Sequence, residues 1–223
     1  MITFLRSAWP MLHIQRACVV ALLWSAWPLA ALPCQQRHLW LDASAGAESE
    51  MLRVAVSAWQ PILTLGGRLT LGAGPRISAY AGAPLGYENR GMVQGNFPAS
   101  LTIDPAVYSL NGTVFAEVRL LARVFVGANL DVVGVAVGPT RTVGSLVAKP
   151  QTASYFQYGS ADHGALNSEF YVAGWPTSRL GFRIGLSHYV TDYTVTDPDP
   201  ASIPSHRYQK FQTVPFLAVA VHP

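Results

Sequence analysis

The feature that most limits what this chain can fold into is a two-residue alternation of apolar and polar side chains. In residues 68 to 80, RLTLGAGPRISAY, Leu69, Leu71, Ala73, Ile77 and Ala79 fall on one face of an extended chain, while Arg68, Thr70, Arg76, Ser78 and Tyr80 fall on the other. A helix would smear both sets around its axis, so the stretch reads as a strand with one oily and one wet face. The pattern recurs in Leu110, Val114, Ala116, Val118 and Leu120 against Asn111, Thr113, Glu117 and Arg119. A tight turn at Ala122 and Arg123 then leads to Val126, Ala128, Leu130, Val132 and Ala136 against Asn129 and Asp131.

Extended along the chain, this period predicts eight strands, at about 38–45, 52–60, 65–81, 109–121, 124–138, 164–175, 179–193 and 206–221. Connections near 60–64, 121–124 and 175–179 are short. Those at 82–108, 139–163 and 194–205 are long and rich in Gly, Pro, Ser and Asp. Short turns at one end and long loops at the other predict an all-β, eight-stranded, antiparallel, up-and-down transmembrane β-barrel with both termini on the short-turn side.

Composition decides between an oily and a wet exterior. The chain is 50% hydrophobic and 12% charged, and its only lysines are Lys149 and Lys210. A water-soluble barrel needs about a quarter of its surface charged, which this chain cannot supply. The longest apolar run, from Leu120, is interrupted by Arg123, Asn129 and Asp131, which a membrane helix would carry into hydrocarbon. A lipocalin-like barrel turns its oily face inward around a ligand. Here the charged set suits an interior instead, and Arg68, Arg76, Glu117, Arg119, Asp131, Glu169 and Arg183 are expected to pair across the lumen. Eight strands leave room for little more than side chains, so such a network closes the lumen structurally. A small solute channel or a ligand-binding barrel is the alternative.

The N-terminus reads as a secretory leader over residues 1–34. Arg6, His13 and Arg16 precede the apolar run ACVVALLWSAW, and Ala30 and Ala31 follow it, which predicts cleavage near residue 31; Met11 would serve equally well as a start. Cys18 lies in the leader, so Cys34 has no partner and a disulfide is not expected. Leu32 and Pro33 before Cys34 do not match the small residue a lipoprotein signal wants. Without the leader, 13 basic residues face 12 acidic ones, and nucleic-acid binding loses its support.

The chemistry-bearing residues point away from catalysis. Ser187, His188 and Glu169 could form a triad, but adjacent Ser187 and His188 point to opposite faces of a strand. The six histidines lack ligand spacing, and Asp192, Asp197 and Asp199 read as a solvated acidic loop, so neither a metal nor a cofactor is expected. Trp59, Tyr80, Phe125, Trp175, Tyr189, Tyr193 and Phe216 fall near strand ends, where rings would mark two membrane interfaces.

The stretches LTLGAGPRISAYAG, VFVGANLDVVGVAVG, ALNSEFYVAGW, RLGFRIGLSHYVTDY and KFQTVPFLAVAV resemble the strands of small bacterial outer-membrane β-barrel proteins of the porin-like or OmpA/OmpX-like superfamily. The resemblance covers nearly all of the chain after the leader. It implies a place in the outer membrane, outer-membrane lipids and the barrel-assembly machinery as partners, and a structural, adhesive or permeability role. Such barrels usually end in an aromatic residue that the machinery reads; here Phe216 and Val221 of the last strand stand nearest to that role. Some relatives of this architecture modify lipids, which the Ser187 and His188 arrangement does not favour.

Overall fold

The computed structural model describes residues 39–48, 50–90, 97–157, 162–198 and 205–222. The leader, Cys34 and Asp199 lie outside these described residues.

The described chain is an all-β antiparallel structure. Eight long strands form a closed ring: β1 (Trp40–Glu48), β2 (Met51–Leu65), β3 (Leu69–Gly82), β6 (Ala106–Leu121), β7 (Val124–Val137), β11 (Leu166–Gly174), β12 (Leu180–Thr196) and β13 (His206–Val221). Each pairs with the next, and β13 returns to β1 through Leu41↔Val221 to Gly46↔Phe216. Their positions follow the alternation, because a slip of one residue would put every polar side chain on the apolar face.

Five shorter strands stand where long polar connections were expected. β4 (Leu85–Asn89) and β5 (Ser100–Ile103) form a hairpin whose β4 continues onto β13 at Tyr208 and Gln209. β8 (Arg141–Val143), β9 (Leu146–Pro150) and β10 (Ala153–Tyr155) come from the other long segment; β9 pairs with β12 and β10 with β7. The expectation of bare loops at 82–108 and 139–163 is therefore corrected. Their short apolar alternations, Tyr87 with Leu101 and Ile103 and Leu146 with Ala148, are buried over the aromatic end of the ring, and that burial is what makes them strands.

Burial follows the same alternation with its usual sense reversed. On β2 the buried residues are Met51, Arg53, Ala55, Ser57 and Trp59, while Leu52, Val54 and Val56 are exposed. On β13 Val214, Phe216, Ala218 and Ala220 are buried and Leu217, Val219 and Val221 exposed. Charged and polar groups line the inside, and an apolar surface faces out.

Two register details differ from the pattern read in sequence. The turn expected at 60–64 lies instead at Gly66 and Gly67, whose φ values of 55° and 63° suit glycine, and Arg68 N donates to Leu65 O across it. Strand β2 runs on through Pro61 by a register shift between Pro61 and Leu63, which spares the missing N–H a ladder position. On β7 a second shift, opposite Gly112 and Thr113, leaves Val132 and Val133 both exposed and turns Ala136 inward, where the uninterrupted pattern put it outside.

Candidate functional site

The interior holds one continuous ionic layer contributed by strands around the whole ring. Glu169 on β11 sits at its centre. Arg53 Nη2 on β2 donates to Glu169 Oε1 at 2.6 Å, and Arg76 Nη2 on β3 donates to Oε2 at 3.1 Å. Arg183 Nη1 on β12 lies 3.7 Å from Oε2. Asn129 and Asn167 complete the carboxylate with amide donors at 2.6 and 3.2 Å.

Two further carboxylates balance the arginines. Asp131 takes Arg76 Nη1 at 3.1 Å, Asn111 Nδ2 and Thr113 Oγ1 each at 2.7 Å, and Asn167 N at 3.1 Å. Asp42 on β1 accepts from Arg183 and from the Trp59 indole N–H. Three guanidiniums thus meet three carboxylates. Aromatic rings lie over the cations: Arg76 is 5.3 Å from the Trp59 ring, Arg183 4.5 Å from Tyr171 and Arg53 6.0 Å from Phe216. Arg53, Arg76, Asp131 and Glu169 are 0% exposed, so the layer fills the ring from wall to wall.

Of the seven residues expected in the lumen, Arg76, Asp131, Glu169 and Arg183 are brought into this layer. Glu117 is buried but meets a phenol rather than an arginine, Tyr171 OH donating to its Oε1 at 3.0 Å. Arg68 and Arg119 are corrected: both are exposed and outside the network. Arg68 falls in the Gly66–Gly67 turn. Arg119 lies beyond Glu117 toward the same end, its guanidinium 5.9 Å from the Phe125 ring. Two members were not found from sequence, Asp42 and Arg53. Their signal was parity, since Arg53 sits between Leu52 and Val54, but the small neighbours Ser44, Gly46 and Ala55 blur the alternation of β1 and β2.

Aromatic side chains close the ring on both sides of the layer. Trp40, Trp59 and Phe115 pack with Ala220 at the short-turn end, with Trp175 against them. At the other end Tyr80 stacks on Tyr189 at 4.7 Å beneath Tyr87, Tyr193, Tyr208 and Phe97. The expected outward girdle of these rings is corrected: Trp59, Tyr80, Tyr189, Tyr193 and Phe216 are buried inside. They fill the volume that small inward residues leave. Gly72 and Gly127 make room directly opposite rings, for a Cβ there would come within 2.2 Å of Phe115 and 2.6 Å of Tyr171.

Ser187 points inward and donates to Asn167 Oδ1 at 2.6 Å, whereas His188 bonds Thr213 on the other face of β12 and Glu169 is held by arginines. Near the long-loop end, Arg207 Nε donates to Asp192 at 2.8 Å and Gly164 N to the same oxygen at 3.0 Å, tying residues 162–164 to β12 and β13. Burial and the nearby Arg207 guanidinium lower the His163 pKa, which favours the neutral ring. Among the described residues no cluster of three or more His, Cys, Asp or Glu has the geometry to hold a metal ion. No protein-family model matches the chain, and no curated protein matches it.

Proposed function

We propose that this chain is an outer-membrane β-barrel protein whose lumen is plugged by the Glu169-centred ionic layer, and whose role is structural, adhesive or permeability-related, exercised by the segments at the long-loop end. The observation that carries the reading is the reversed burial. Val56, Ile77, Leu110, Val135, Phe170, Ile184 and Leu217 are each at least 50% exposed, while Arg53, Arg76, Arg183, Asp42, Asp131 and Glu169 are buried. Water does not support such a surface, because contiguous exposed apolar area drives association. Hydrocarbon does, and a closed ring leaves no unpaired strand edge to face it. The leader supplies the route to the envelope, and the short turns at one end match the periplasmic side of such proteins.

The test is fractionation with gel mobility. The mature protein should partition with the outer membrane and migrate differently before and after boiling, since a closed ring of strands resists detergent. Recovery in the soluble periplasmic fraction would refute the reading.

A further inference from the structure

The outward surface of β12 and β13 changes character along its length. Phe182, Ile184 and Leu186 on β12 and Leu217, Val219 and Val221 on β13 are exposed and apolar. Beyond them, toward the long loops, the positions in the same phase are His188, Thr213 and Phe211, followed by the buried Asp192 and Gln209 and by Arg207. At this boundary one ring organises two nitrogen-rich side chains. His188 stacks on Phe211 with centroids 5.8 Å apart and planes 18° apart, and the Arg90 guanidinium lies 5.4 Å from the same Phe211 ring.

We propose that His188, Phe211 and Arg90 form a binding site for the phosphate of an anionic lipid in the outer leaflet. The inference rests on the membrane reading above and adds a partner to it. His188 Nδ1 and Thr213 Oγ1 are 2.9 Å apart; with the hydroxyl donating, the imidazole proton sits on Nε2 and is available to an outside acceptor. A guanidinium held against an aromatic face keeps its N–H edge for a bidentate acceptor, and two oxygens of a phosphate fit that fork. Arg90 also meets Glu88 at 3.4 Å, but Glu88 is 69% exposed and such a pair is weak enough to exchange for a phosphate. Asp192, buried in the same phase of β12, is bound by Arg207 and Gly164. The apolar strip of Leu186, Leu217 and Val219 below gives acyl chains a place to lie, which a free phosphate would not use.

The experiment refolds the protein into phosphatidylcholine vesicles carrying spin-labelled phosphatidic acid or spin-labelled phosphatidylcholine, and reads the motionally restricted lipid of each kind. Wild type should prefer phosphatidic acid. Arg90→Gln with His188→Gln should lower that preference by about fivefold, the scale of one cation at an anionic surface. Phe211→Leu should lower it as well by freeing both partners, and Lys149→Gln, on β9 away from the cluster, should leave it unchanged. Gel mobility before boiling checks that each variant is folded. The proposal is overturned if the double variant keeps the wild-type preference, or if Lys149→Gln lowers it equally. Insertion without any preference for phosphatidic acid defeats this inference alone, whereas failure of wild type to insert defeats the membrane reading with it.

Discussion

Asp131 shows how much of the interior depends on single side chains. Its two oxygens accept from Arg76, Asn111, Thr113 and the Asn167 backbone, so three strands besides its own are tied to it. Asp131→Leu should destabilise the fold by ~3–5 kcal/mol, the scale of a broken buried pair, because four donors lose their acceptor at once. Urea unfolding in lipid vesicles measures it, with Val135→Leu on the outer face as the mild control; a neutral Asp131→Leu would remove Asp131 from the core of the plug. Parity made Asp131, Arg76 and Arg183 legible in the sequence, since each is flanked by apolar residues, and Glu169 followed from the alternation of Phe170 and Val172 after it. Parity does not say where a ring stops. Arg68 and Arg119 share the inward phase yet lie past the ends of the packed interior, and only the turn glycines and Glu117 mark that limit.

At the scale of the strand, the face assignment survives two interruptions. Period-two reading assumes an unbroken ladder, so it placed the eight ring strands well and misplaced what lies past a bulge, as Ala136 does beyond Val132. It likewise read Pro61 as a turn, because a sequence cannot show that the neighbouring strand shifts register to accommodate the proline. The short strands of the long segments escaped for another reason: five residues of alternation carry little signal until a buried aromatic surface gives them something to cover. The bulge makes a sharp prediction. Deleting Val132 removes the extra outward residue and leaves Asp131, Ala136 and every other inward group of β7 on its own side. That variant should fold and keep its unboiled gel mobility. Deleting Ala128, in the regular part of the strand, forces one half of β7 to reverse its faces and should abolish folding. If both deletions behave alike, the register between β6 and β7 is wrong.

For the molecule as a whole, the question is whether the ring is a wall or a passage. Neutral pairing of three arginines with three carboxylates, rings packed on both sides, and side chains with no solvent exposure all argue for a wall. An ion crossing this layer would have to break pairs held in a confined, buried space. Purified wild-type protein in planar bilayers should therefore show no discrete conductance steps. The informative comparison removes charge without stranding any. In Arg53→Ala with Glu169→Ala, Arg76 keeps Asp131 and Arg183 keeps Asp42, so the remaining charges stay paired while two long side chains leave the centre. Water can enter the gap left behind, because polar groups such as Asn129 and Asn167 line it. This variant should stay folded and show small, frequent openings. Discrete steps in the wild type would instead mean that the layer yields to ions, and the protein would then be a small solute channel.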